Sequence, residues 1–175
     1  MNKRALHKIS YGLYIVSSLN KEGRYNGQIA NTVFQITSEP VRIAVSLNKE
    51  NLTHEYVKES GVFAVSVLSQ NTPLRFIGTF GFKSGRDIDK FEGVNFKKGS
   101  LNTPIVLDHT LAYLEAKVID SMDVGTHTIF VGEVVDADIL TDDVPMTYDY
   151  YHKVKRGTAP KTAPTYISED TSHKK

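Results

Sequence analysis

Leu111-Ala112-Tyr113-Leu114-Glu115-Ala116-Lys117-Val118-Ile119 alternates with a period of two. Successive side chains of a strand point to opposite faces, so Ala112, Leu114, Ala116 and Val118 are expected on one face and Glu115 and Lys117 on the other. Asp123-Val124-Gly125 then reads as a turn. Thr128 to Ile139 reads as a second long strand, with Gly132 marking a bend or a close approach of backbone. The longest regular elements of this chain are therefore strands.

The upstream sequence has the same character. Residues 12–19 are apolar and β-rich, and Asn20-Lys21-Glu22-Gly23 reads as a hairpin turn. A second strand is expected from about Arg24 to Ile36, a third from Val41 to Leu47 after Pro40, and another from Val62 to Leu68. Thr53 is placed to cap a short helix that Gly61 ends. Thr72-Pro73 is placed to open a second one, stopping near Gly78. Order signals are weak from there to Leu111, and Gly157, Pro160 and Pro164 speak against regular structure in the last third. Six or seven strands with only short helices indicate a mainly β protein, an antiparallel barrel or sandwich. A doubly wound sheet would need long helices between strands.

Composition narrows the function. The 175 residues fit one domain, expected over 1–167, with an apolar-free tail 168–175 expected to be disordered. Net charge is +1, which favours neither nucleic acid nor membrane, and no apolar run approaches a membrane span. No apolar h-region follows the N-terminal cations, so an intracellular, cytoplasmic protein is expected. Cysteine is absent, which removes thiolate metal sites, iron–sulfur clusters and cysteine nucleophiles. The six histidines show no metal-ligand spacing. Redox chemistry would then belong to a bound organic cofactor or a histidine-held metal. No G-x-G-x-x-G follows a strand, so no Rossmann dinucleotide site is expected. Gly81-Phe82-Lys83-Ser84 is not a P-loop, because Phe82 stands where a glycine is required.

Four segments carry candidate chemistry. In Phe80-Gly81-Phe82-Lys83-Ser84-Gly85-Arg86-Asp87-Ile88-Asp89-Lys90-Phe91, glycines permit close approach while Lys83, Arg86 and Ser84 suit a phosphate. The run reads either as a site for a flat aromatic phosphate ligand or as a solvated loop. Gln28 and Asn31-Thr32 interrupt a strand with groups that can pair with both edges of a polar ring, or they form a capped bulge. Ser46 to His54 joins a strand end to a helix start, where Lys49, Asn51 and Thr53 could cradle an anion or simply cap. His127, after Gly125-Thr126, faces a cofactor edge or sits on a surface turn. Tyr148, Tyr150 and Tyr151 pack on the barrel or on a second subunit.

In order along the chain, several stretches resemble the flavin reductase-like family of FMN-binding split barrels. They are Gln28 with Asn31-Thr32-Val33-Phe34-Gln35-Ile36-Thr37-Ser38-Glu39-Pro40, Ser46-Leu47-Asn48-Lys49-Glu50-Asn51-Leu52-Thr53, Phe63–Leu68, Phe80–Asp87, and Gly125-Thr126-His127-Thr128-Ile129-Phe130-Val131-Gly132-Glu133-Val134. Tyr148–His152 with Pro160-Lys161-Thr162-Ala163-Pro164 is similar to the flavin domain of the high-molecular-weight rubredoxins. The resemblance implies an antiparallel split β-barrel with short helices, a homodimer, and FMN reduced by NADH or NADPH. Electrons would pass to a flavin, a rubredoxin or another acceptor. The alternative is a non-enzymatic FMN-binding electron-transfer protein. The rubredoxin-fused relatives continue into a cysteine-ligated domain that is not present in these residues, so a one-electron partner is expected to be a separate protein.

Carried over residue by residue, Gln28, Asn31, Thr32 and His127 would lie by the flavin ring. Ser46, Asn48, Asn51, Thr53, Lys83 and Ser84 would lie by the ribityl-phosphate, with Phe80 completing the cofactor-binding set. No catalytic acid, base or metal is required of the protein. If the strand through Asn31-Thr32 is unbroken, Thr32 supplies its side chain to the ring and Asn31 its backbone.

Overall fold

A computed structural model describes residues 1–167; the expected tail 168–175 lies outside the described residues. Strands β1 (Tyr14–Leu19), β2 (Tyr25–Ala30), β3 (Val33–Ser38), β4 (Val41–Asn48), β5 (Val62–Leu68), β8 (Thr110–Asp123) and β9 (His127–Ile139) form one seven-stranded antiparallel sheet in the order β2-β1-β5-β8-β9-β4-β3. Strands β6 (Phe96–Lys98) and β7 (Pro104–Val106) pair as a separate hairpin. The helices α1 (Leu52–Ser60), α2 (Leu74–Phe82) and α3 (Tyr148–Lys153) are short, and among the described residues no helix is long and apolar enough to cross a membrane. The two edge strands β2 and β3 are consecutive in the chain yet share no ladder. The sheet thus curls into a barrel that stays split at this seam, where the Ser46 N–H donates to the Thr32 carbonyl.

The alternation argument holds for the barrel interior. Val16, Ile43, Val45, Leu47, Phe63, Val65, Ala116 and Phe130 fill it, with Val57 of α1 entering from one end. Leu114 and Val118 pack on this core from β8 as the pattern requires. Gly132 is the expected close approach: a Cβ there would stand 2.7 Å from the Phe63 ring and 2.8 Å from the Ala116 Cβ. Neighbouring residues of β1 serve the opposite face. Ile15 joins a second core with Leu13, Leu68, Ile77, Phe80, Phe91, Val106 and Met146, covered by α2, the β6–β7 hairpin and α3. Burial on both faces explains why β1 and β5 read as continuous apolar runs.

Several expectations need correction. The single strand from Arg24 to Ile36 is two strands, broken at Asn31-Thr32, because the chain crosses the seam there. Helix α2 runs past Gly78 to Phe82 and takes in the first residues of the glycine-rich loop; Pro73 is its cap, one position before the expected first turn. Thr53 does not cap α1: Asn51 holds the cap position, and the Thr53 hydroxyl instead accepts from Asn26 Nδ2 at 2.8 Å. Gly61 ends α1 in the left-handed region at φ 71°, as expected. The last third carries α3, capped by the Thr147 side chain. Glu115 does not face solvent. It is fully buried under the β6–β7 hairpin and accepts from the Ser100 hydroxyl at 2.7 Å, the Leu101 N–H at 3.0 Å and the Thr103 hydroxyl.

Candidate functional site

A cleft of about 370 Å³ is walled by β2, the end of β4, the start of α1, the end of α2 with its following loop, and the segment 158–164. It gathers Gln28, Asn31, Ser46, Asn48, Asn51, Thr53, Phe80, Lys83, Ser84 and His127 from four separate stretches of the chain. Thr32 does not line it. The Thr32 hydroxyl donates to Asn31 Oδ1 at 3.1 Å at the seam, and the buried Asn31 side chain is the one at the cleft. The expectation that Thr32 supplies its side chain rested on an unbroken strand, and the strand is broken at these two residues.

One end of the cleft is suited to an anion. Asn51 opens α1 without a side-chain cap, so the first N–H groups of the helix remain available. Thr53 lies fully buried beside them, fixed by Asn26. Lys83 and Ser84 stand opposite on the loop leaving α2. Arg86 has its N–H on Ser84 Oγ at 3.1 Å and its guanidinium paired with Glu55 of α1, which ties this loop to the helix. Gly85 lets the loop lie close against β2, because a Cβ there would fall 2.0 Å from Asn26 Oδ1. Lys83 has no carboxylate partner among the described residues and is exposed at the rim.

The other end is lined by amides and an imidazole. Gln28 Oε1 is buried and lacks a hydrogen-bond partner; among the described residues only Arg42 Nε shares that condition. Asn31 Nδ2 donates to Thr165 Oγ1 at 2.9 Å. Asn48 Nδ2 donates to the Thr162 carbonyl at 3.3 Å, and its Oδ1 accepts from the Glu50 N–H at 2.9 Å. His127 Nε2 donates to the same Thr162 carbonyl at 3.2 Å, which leaves Nδ1 to accept from the Thr126 hydroxyl at 2.9 Å. Burial pulls the His127 pKa down and the Thr162 carbonyl pulls it back up; the net direction is down, so the ring is neutral at pH 7. Tyr148 and Tyr151 of α3 close this end, with the Tyr151 hydroxyl holding the Thr158 carbonyl at 2.9 Å.

Two contributors escaped the sequence reading. The segment 158–164 carries family resemblance and prolines but no residue singled out for the site, yet it forms a wall. Lys90 closes the glycine-rich run without being among its candidate phosphate groups, yet it is 5% exposed and lines the cleft. A long, aromatic-floored cleft with an anion-binding end and an amide end that retains an unused acceptor can hold a planar heterocycle on a phosphorylated chain.

Comparison with known proteins points the same way. Residues 6–158 match the family model described as flavin reductase like domain. The chain is 57% identical to the high molecular weight rubredoxin of Moorella thermoacetica, covering 95% of this chain and 72% of that protein. It is also 57% identical to the ferric-chelate reductase (NAD(P)H) of Archaeoglobus fulgidus, covering 95% of this chain and 98% of that one. In fold it is similar to the NADH:FAD oxidoreductase of Streptomyces globisporus C-1027, with TM-score 0.75 at 23% identity over 83% of this chain and 85% of that one. From this agreement of matched residues, relatives and fold, the chain belongs to the flavin reductase like domain family and is an oxidoreductase.

Proposed function

We propose that this oxidoreductase binds FMN in the cleft, takes its electrons from NADH or NADPH, and passes them to a separate acceptor such as a rubredoxin. The observation that carries the reading is the unpaired, buried Gln28 Oε1. A buried acceptor without a partner costs roughly 1–3 kcal/mol, which a ligand N–H would relieve. The imide edge of an isoalloxazine offers such a donor, and Asn31 and Asn48 stand on the same wall for its oxygens. Lys83, Ser84 and the start of α1 gather at one end of the cleft, where the phosphate of FMN would sit.

Bound flavin supplies hydride acceptance and one-electron release, which no side chain of this chain can perform. The residues bind, orient and exclude water. Neutral His127 keeps its proton on Nε2, held by the Thr162 carbonyl, so the ring edge meets no mobile charge. Tyr148 and Tyr151 limit solvent at that end. Two of the most similar relatives carry names that speak for the donor and for a one-electron partner: a ferric-chelate reductase (NAD(P)H) and a high molecular weight rubredoxin. Phe34, Ile36 and Val41 are exposed on the edge pair β3–β4, and a second copy covering them would make the homodimer. A monomeric mass in sedimentation at micromolar concentration would remove that part of the reading.

The deciding experiment is anaerobic. Purified protein loaded with FMN is mixed with NADH or NADPH, and the 450 nm band is followed. Full bleaching that persists until an electron acceptor is added is expected. A protein that binds FMN but is not bleached by either nucleotide would be an electron carrier rather than a reductase.

A further inference from the structure

Lys90 is a buried cation without a counter-ion. It is 5% exposed, and none of the ion pairs among the described residues includes it. Its ammonium donates to the Gly27 carbonyl at 2.9 Å and to the Phe80 carbonyl at 3.1 Å. A lysine ammonium has three N–H donors, so one is left over. Gly27 lies on β2 between Asn26, which fixes Thr53 at the anion-binding end, and Gln28, which carries the unpaired acceptor at the other. Phe80 lies near the end of α2, three residues before Lys83. Lys90 therefore stands on the cleft wall, bonded to β2 on one side and to the end of α2 on the other.

Resting on the flavin reading above, we propose that Lys90 is a cofactor-binding residue, whose third N–H and uncompensated charge meet the phosphate-bearing chain of the flavin. Burial of a charge is tolerated when a partner of opposite sign completes it. The two carbonyls supply dipoles only, and the missing full negative charge is what a phosphorylated ligand brings. Burial lowers the Lys90 pKa to about 8, so without the ligand the amine loses its proton in mildly alkaline solution. An anion bound beside it would pull that proton back.

Charged and titratable groups from the surrounding elements face the same cleft, Lys161 of the segment 158–164 among them. Lys83 and Arg86 are cations on the loop beyond α2, Glu50 and Glu55 are carboxylates at the start of α1. Burial moves Tyr148 and Tyr151 on α3 further above 10 and His127 on β9 below 6.5.

The test compares FMN with riboflavin, which lacks the phosphate, by fluorescence titration from pH 7 to 9.5. For the unaltered protein, FMN affinity should fall at least fivefold over this range while riboflavin affinity stays within twofold. Lys90→Met should weaken FMN about tenfold or more at pH 7, weaken riboflavin less than threefold, and abolish the pH dependence; Lys90→Arg should recover part of the FMN affinity. FMN affinity that is flat with pH in the unaltered protein overturns the assignment whether or not the variant folds. Equal losses for FMN and riboflavin in Lys90→Met also overturn it, leaving Lys90 as a brace between β2 and α2. An unaltered protein that binds neither flavin overturns the flavin reading itself, and the Lys90 assignment with it.

Discussion

The barrel interior and the cleft are built on opposite principles, although they share β2, β4 and β9. The interior is apolar, closed, and contributed by strand residues at alternate positions. The cleft mixes amides, hydroxyls and cations with apolar side chains, is open to solvent, and is contributed mostly by strand ends, helix ends and loops. Substitution in the interior should therefore be felt as lost folding free energy with the ligand preference unchanged. Substitution in the cleft should be felt as altered ligand preference with the fold intact. The residues that belong to both, or that sit in the wrong one by type, are where this division can be broken.

The largest effect is expected in the interior. Phe63 is fully buried, and its ring fills the space that Gly132 leaves open. Phe63→Ala should cost about 3–5 kcal/mol of stability through lost burial and the cavity left behind. Thermal denaturation would read this as a large drop in Tm, with the FMN-to-riboflavin affinity ratio unchanged in the surviving folded fraction. A changed ratio would mean that the interior and the cleft are mechanically coupled.

Lys90 tests the division from the other side, because a cleft residue there should also affect stability. Its pKa is about 8 when folded, against 10.5 for the free side chain. Below pH 8 both states hold the proton and the folded state bears the full cost of burying it, about 3 kcal/mol by linkage. Between pH 8 and 10.5 the unfolded chain binds more protons than the folded one, so this cost is relieved as pH rises. The ligand-free Lys90→Met variant should then exceed the unaltered protein in Tm at pH 7, and the gap should shrink by pH 10. A gap that grows with pH would show that the ammonium stabilises the free protein.

Lys83→Ala is expected to act on the ligand alone. Lys83 is exposed at the rim and has no carboxylate partner among the described residues, so stability should barely change. A lost charged hydrogen bond to phosphate is worth roughly 1.5–3 kcal/mol, tenfold or more in FMN affinity and little for riboflavin. Equal weakening of both flavins would place the contact of Lys83 elsewhere.

The same contrast explains what could be read before the structure. Strand alternation gave Leu114, Ala116, Val118 and the close approach at Gly132, because interior packing acts on every second residue. It failed at Glu115, whose solvent side is roofed by a hairpin of two three-residue strands, too short to show a period. Lys90 was hidden because lysine is ordinarily a surface residue, and nothing local distinguishes one that bonds carbonyls 63 and 10 residues away. Helix α3 did leave a signal, Thr147 before Asp149 in the first turn, which the prolines farther on outweighed. Most cleft residues were legible as unusual polar interruptions, but their meeting depends on loop paths that no periodicity records.

The smallest effect falls on the seam, at Asn31 and Thr32, and it discriminates most finely. These residues end β2 and begin the crossing to β3, so neither obeys the alternation of a strand. Asn31 is buried at the cleft and spends its Nδ2 on Thr165, while its Oδ1 takes the Thr32 hydroxyl. The Thr32 side chain meets the cleft through Asn31, and its carbonyl takes the Ser46 N–H. Asn31→Ala removes the group beside Gln28 and the tie to the covering segment, a loss of about 1 kcal/mol and so roughly fivefold in flavin affinity or reduction rate. Thr32→Val keeps the shape and loses one outward bond, and should stay within about twofold because the Asn31 side chain retains its bond to Thr165. Stopped-flow reduction by NADH, with flavin titration beside it, orders the two. The opposite ranking would mean that the bound protein restores a continuous strand across the seam, with Thr32 turned to the ring and the barrel more nearly closed than in this structure.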